Sequence, residues 1–146
     1  MKEVISSFKG KYKFLSNFYP IFIQYEGIRF PSVEHAFQAA KSDDIEIRKL
    51  FAIAPTAKEA KRFGKQVKLT EGWDTKKISI MKSLLEQKFK NEPMKSMLLN
   101  TEDSILIEGN NHGDKFWGQV KGEGNNMLGK LLMEIRDDLK RKEACK

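Results

Sequence analysis

Apolar residues recur at helical spacing in two long stretches, and this restricts the fold more than any other feature of the sequence. Ile78, Met81, Leu84, Leu85 and Phe89 form one stripe; Leu128, Leu131, Leu132, Ile135 and Leu139 form another. Each predicts an amphipathic helix with one face in a core. The first ends before Pro93, which disfavours helix in the residue ahead of it. The second opens at Asn126, a residue type that can cap a helix. Strand signals are shorter. IFIQYEGIRF (21–30) reads as two strands around a Glu26-Gly27 turn, and Ser104–Glu108 as one buried strand.

Between these elements, Ser32 is a candidate cap for a helix from Val33 to about Phe51, with Val33, Ala36, Phe37, Ala40 and Ile47 on its buried stripe. Thr56 and Glu59 fit a capping box that opens a short helix stopping at Gly64. Met94 to Leu99 reads as a further turn or short helix. Gly109 to Gly124 holds five glycines and little periodicity, so it is expected to be loop. The fold class that follows is α+β: a mainly helical single domain over residues 1–146 with a few short strands.

Composition narrows the setting. The 146 residues are 40% hydrophobic and 32% charged, a globular balance. No apolar run reaches the roughly 20 residues of a membrane helix, and MKEVISSFKGKYKF has no secretory core. A lone Cys145 cannot close an internal disulfide, so a cytoplasmic location is expected. The net charge of +7 suits phosphorylated ligands or nucleic acid, and equally suits a well-solvated surface. The expectation is a monomer that makes no membrane contact and needs no cofactor or metal. His35 reads as a satisfied helix histidine, and two histidines with one remote cysteine give no metal spacing.

Chemistry concentrates in two segments. In PSVEHAFQAAK (31–41), Glu34, Gln38 and Lys41 stand at i, i+4 and i+7, which puts an acid, an amide and an amine on one helix face. An acid in a first helical turn is also ordinary stabilisation. In HGDKFWG (112–118), Asp114 sits beside Phe116 and Trp117 between glycines, and the rings could stack on a flat heterocycle. The bland alternative makes the rings core anchors and Asp114 the side chain of an Asx turn. GEGNNMLG (122–129) leads into a helix N-terminus that could receive an anion, or could simply be a capped helix start.

Four blocks then resemble one family in order and over nearly the whole chain: FLSNFYP (14–20), FPSVEHAFQAAK (30–41), AKRFGKQVKL with GWD (60–74), and NNHGDKFWGQV through GEGNNMLGKLLMEIR (110–136). They resemble the NADAR, or YbiA-like, family. The resemblance implies a compact helical α+β fold and hydrolysis of N-glycosidic bonds. Its substrates would be phosphorylated ribosylamino-pyrimidine intermediates of riboflavin biosynthesis, or ADP-ribose on guanine in nucleic acid. It implies site roles for Glu34, Trp73, Asp114 and Trp117, ligand-orienting roles for Asn17 and Asn126, and phosphate contacts for Arg62 and Lys65. The expected machinery is Glu34 and Asp114 as acid and base in an unassigned order. Lys41 offers a covalent route, and Gln38, Trp73 and Trp117 line the ligand. Two other classes remain open: a non-catalytic ADP-ribose-binding module, and a basic nucleic-acid-binding module.

Overall fold

The computed structural model describes residues 2–145. They divide into two compact units. One comprises residues up to Ser16 together with those from Phe89 onward; the other runs from Asn17 to Lys88. The fold is mainly helical α+β with two small two-stranded sheets. Among the described residues no helix is long and apolar enough to cross a membrane.

In the Asn17–Lys88 unit, β2 (Ile23–Tyr25) and β3 (Ile28–Phe30) pair antiparallel, Ile23 opposite Phe30. The turn between them places Glu26 at φ 48° and Gly27 at φ 81°, as a two-residue hairpin requires. The next helix departs from expectation. Instead of one helix from Val33 to Phe51, there are two, α1 (Val33–Ala39) and α2 (Ile45–Ala52). Ser42 and Asp44 make the break. The Ser42 hydroxyl accepts the Asp44 N–H, and the Asp44 carboxylate accepts that of Glu46 to cap α2. Such short polar side chains offer the backbone an alternative to continuing a helix.

Ser32 caps α1 as expected, its hydroxyl accepting the His35 N–H at 3.1 Å. All seven residues of α1 are buried, so this helix has no solvent face. Helix α3 (Ala57–Gly64) is capped by Thr56, whose hydroxyl accepts the Glu59 N–H at 3.1 Å. It turns Ala57, Ala60 and Gly64 inward. Helix α4 (Trp73–Lys88) buries Met81, Leu84 and Leu85, while Ile78 of the expected stripe stands 36% exposed. Phe51 packs on Phe63 with ring centroids 4.6 Å apart, and Phe37 on Trp73 at 5.2 Å, which ties α2 to α3 and α1 to α4.

In the other unit, β1 (Val4–Ile5) pairs in parallel with β4 (Ile105–Leu106). Neither β1 nor the 3-10 helix at Gly10–Leu15 is signalled in the sequence. Helices α5 (Met94–Leu99) and α6 (Met127–Ala144) follow expectation, and α6 buries Leu128, Leu131, Leu132 and Ile135. Residues 109–124 form the expected loop, with isolated bridges Gly109–Gln119 and Val120–Glu123. Gly118 is required by close approach: a Cβ there would overlap the Glu108 carbonyl oxygen.

Candidate active site

The buried face of α1 supplies the polar centre of the Asn17–Lys88 unit. Glu34 and Gln38 are 7% and 5% exposed, yet both are polar. The Gln38 Nε2 donates to Glu34 Oε2 at 2.7 Å, so the i, i+4 spacing legible in the sequence becomes a direct bond inside the protein. The Glu34 N–H is held by the Asn17 carbonyl at 3.0 Å. Asn17 is itself buried, and its Nδ2 donates to Met81 Sδ at 3.5 Å. Two buried oxygens of this centre, Asn17 Oδ1 and Gln38 Oε1, accept no hydrogen bond from the protein. Buried acceptors are normally satisfied, and Gln38 Oε1 is instead turned against Gly64 of α3.

Lys41 lies on a turn beyond α1 rather than on its face, because the helix stops at Ala39. Its backbone is pinned: its N–H donates to the Gln38 carbonyl at 3.2 Å, and its own carbonyl accepts the Thr70 N–H at 2.6 Å. Burial lowers the pKa of the Lys41 ammonium below that of an ordinary lysine. The Glu34 charge opposes that shift, while Lys61, Lys65 and Lys77 add to it.

His35 behaves as its helical position predicts. Its Nδ1 meets the Ser32 hydroxyl at 2.7 Å and its Nε2 the Ala54 carbonyl at 3.1 Å. A carbonyl can only accept, so Nε2 carries the proton and Nδ1 accepts from Ser32. Burial lowers the pKa of this ring, and both nitrogens are engaged structurally.

Helices α3 and α4 sort the remaining positions. Arg62 points away from the inner face of α3, with its side chain 62% exposed and paired to Glu59 at 3.5 Å. Lys61 and Lys65 are the cations beside that face, since they stand at i+4 and i+8 from buried Ala57. Two cations outside the sequence candidates, Lys61 and Lys77, act electrostatically on Lys41. The Ala57–Ala60–Gly64 spacing was the signal available for Lys61, and the i+4 step from Trp73 was the one for Lys77. Trp73 is 7% exposed and packs on Phe37, so it anchors α4 to α1.

The loop of the other unit is built around Asn110. Its Nδ2 donates to Glu108 Oε2 at 3.0 Å and to the Asp114 carbonyl at 2.9 Å, and its Oδ1 accepts the Asp114 N–H at 3.1 Å. Asp114 in turn accepts the N–H groups of Phe116 (3.1 Å) and Trp117 (2.9 Å) through Oδ1. This is the Asx-turn arrangement, and it fixes where the two rings project. Phe116 and Trp117 meet edge to face at 4.9 Å and stay half-exposed, unlike core anchors.

Two expectations at the start of α6 are corrected. Asn126 makes no side-chain cap: it sits at φ 50°, its Oδ1 accepts the Glu108 N–H at 2.9 Å, and its Nδ2 donates to the Leu106 carbonyl at 2.8 Å. Nor does this helix start hold open N–H groups for an anion. Those of Asn125, Asn126, Met127 and Leu128 donate to the carbonyls of Lys115, Gly118, Phe116 and Trp117 at 2.7–3.1 Å. The loop caps the helix with its own backbone, which is the plainer of the two readings of that stretch.

The fold and this chemistry together define a class: mainly helical α+β proteins with a buried carboxylate–amide pair beside a half-buried lysine. A family model described as the NADAR domain matches residues 6–140, and the chain belongs to that family. It is 36% identical to a riboflavin biosynthesis protein of Vibrio vulnificus over 86% of its length. It spans 35% of that relative's length. It is 35% identical to an N-glycosidase of Nostoc punctiforme, with 88% of this chain and 86% of that one covered. The NMR structure of the Escherichia coli protein YbiA superposes with a TM-score of 0.85 at 32% identity, over 99% of this chain and 89% of the other.

Proposed function

We propose that the protein is an N-glycosidase that hydrolyses the bond between ribose and a nitrogen heterocycle. The observation that carries this is the Glu34–Gln38 pair, a carboxylate and an amide buried on a helix with no solvent face, next to a lysine of lowered pKa. The names of the Nostoc relative and of YbiA, both N-glycosidases, support the same reaction. The substrates proposed are ADP-ribose on guanine in nucleic acid and phosphorylated ribosylamino-pyrimidines. The riboflavin-pathway name of the Vibrio relative supports the second. The family match runs through both units, which supports treating residues 1–146 as one domain.

Cleavage passes through an oxocarbenium-like ribosyl centre. Glu34 stabilises that charge or activates water, and Asp114 supplies the second carboxyl for the departing heterocycle. In the covalent variant the Lys41 amine adds to ribose C1′ as the C1′–N bond breaks. The heterocycle leaves with a proton; the C1′–O4′ bond then opens as the lysine nitrogen gives its remaining proton to O4′, and water hydrolyses the resulting imine to free the amine and the sugar. Asn17, Gln38 and Lys65 are the polar ligand contacts, and Trp117 the stacking surface. Trp73 is proposed to shape the site through Phe37. Asn126 orients the ligand through the backbone it braces, and Arg62 serves at the rim.

The test is incubation with ADP-ribosylated guanine DNA and, separately, with a ribosylamino-pyrimidine phosphate, followed by mass spectrometry of released base. Base release is expected from at least one. Saturable binding to both without release would instead mark an ADP-ribose-binding module.

A further inference from the structure

The connection between α1 and α2, residues 40–44, is held from outside at three consecutive positions. The Lys41 carbonyl accepts the Thr70 N–H at 2.6 Å, the Ser42 carbonyl accepts Arg48 Nε at 2.7 Å, and the Asp43 carboxylate accepts the Thr70 hydroxyl at 2.7 Å. Both donor residues are themselves anchored. The Thr70 carbonyl accepts the N–H of Trp73, whose ring packs on Phe37 of α1, so these contacts lead back to the helix that carries Glu34. Arg48 belongs to α2, and its guanidinium lies over the Tyr25 ring of β2, 5.3 Å from the centroid. Ending one helix and starting the next does not require this bracing, because Ser42 and Asp44 already make the break. Asp43 is exposed, and a single hydrogen bond there adds little to stability.

All three bonds act on the backbone around Lys41. Helix α1 stops at Ala39 and does not fix this residue. A lysine ammonium rides on a flexible four-carbon stem, so it is only as well placed as its Cα. Displacing a reacting group by about 1 Å can slow a reaction about a hundredfold. We propose that Thr70, Asp43 and Arg48 are positioning residues, which clamp the α1–α2 connection and so fix where the Lys41 amine is delivered relative to Glu34. The catalytic meaning of the clamp rests on the covalent reading above; its hold on the amine does not. These residues act through Lys41 and need no contact with the substrate.

Two measurements separate the clamp from the reaction it serves. The first is an NMR titration of the intact protein, isotope-labelled at lysine Cε, with the Lys41 signal identified by its loss in Lys41→Arg. The clamp keeps this amine where burial lowers its pKa, with Glu34 of α1 opposing the shift and Lys61 and Lys65 of α3 and Lys77 of α4 adding to it. Thr70→Val/Arg48→Lys removes the Thr70 hydroxyl and the Arg48 Nε donor without changing any charge, so movement of the midpoint reports position. The midpoint is expected to rise toward the ordinary lysine value of 10.5, and in Thr70→Ser, which keeps the hydroxyl, to stay at the wild-type value. An unmoved midpoint in the double variant overturns the clamp. Where that variant loses its melting transition, Thr70→Val alone gives the same readout.

The second measurement is the split between kcat and KM for base release. The double variant is expected to lower kcat about tenfold or more with KM nearly unchanged, because a displaced amine weakens the transition state and not ground-state binding. A raised KM at unchanged kcat overturns the positioning role. No base release by the wild type, with the Lys41 midpoint still dependent on Thr70, would sink the N-glycosidase reading and leave the clamp standing. Full activity in Lys41→Arg would do the same to the covalent route alone.

Discussion

At the scale of single residues, the site depends on charges that can be removed without changing shape. Glu34→Gln keeps the volume and lets the new amide oxygen accept from Gln38 Nε2, so the bond inside α1 survives. It is expected to lower kcat roughly a hundredfold or more while ligand affinity holds, the scale of a lost acid–base group. Wild-type turnover in that variant would remove Glu34 from the mechanism. Asp114→Asn is similar in design: its amide oxygen still accepts the Phe116 and Trp117 N–H groups, so the turn persists while the charge is lost. A fall in kcat at unchanged melting temperature is expected, and unaltered kcat would leave Asp114 a turn residue only. Lys41→Arg tests the covalent route, because a guanidinium stays protonated and forms no imine. Burial lowers the Lys41 pKa, so the free amine that attacks is available at lower pH than in an ordinary lysine of pKa 10.5. The kcat/KM profile should therefore rise with pH through a midpoint below that value. Near-full activity in Lys41→Arg excludes the imine.

Among the elements, α1 and α3 meet through the absence of a side chain. Gly64→Ala would drive a Cβ into the Gln38 amide, which is buried and hydrogen-bonded to Glu34. Overpacking of this kind costs about 1–3 kcal/mol, and here it should also lower kcat by displacing the amide from the carboxylate. The same substitution in a Gln38→Ala background should cost much less, since the clashing group is gone. Thermal melts of the four proteins in that cycle measure the coupling, and additive losses would refute the contact. The elements also show where sequence patterns were sufficient. The Ser32 and Thr56 caps, the Glu26-Gly27 hairpin and most of the α4 and α6 stripes are local signals that formed where their residues stand. The break between α1 and α2 was equally local, written in Ser42 and Asp44, but periodicity over 33–51 masked it.

On the scale of the whole molecule, folding carries a charge the site does not use. Lys88 is 2% exposed at the end of α4, its Nζ 5.5 Å from the centroid of the Tyr19 ring. Burial lowers its pKa to about 7. Between that value and the ordinary 10.5, the unfolded chain holds a proton that the folded lysine has released. Stability should therefore rise with pH across that window, and below about pH 7 the full cost of a buried ammonium remains. Lys88→Met, similar in length and uncharged, is expected to flatten that rise while leaving the fold intact. Melting curves at about pH 6 and about pH 9.5 check both, and an unchanged slope would show that Lys88 is not the titrating group. By itself the sequence determined most of the helices, the hairpin, the Ser32 and Thr56 caps and the Glu34–Gln38 spacing, because these depend on residues within a turn or two of each other. Only the tertiary structure decided that α1 is buried on every side, that Lys61 rather than Arg62 accompanies Gly64 inward, and that loop carbonyls close the start of α6. Burial and backbone pairing between distant segments depend on what packs against each element, and no local pattern of side chains records that.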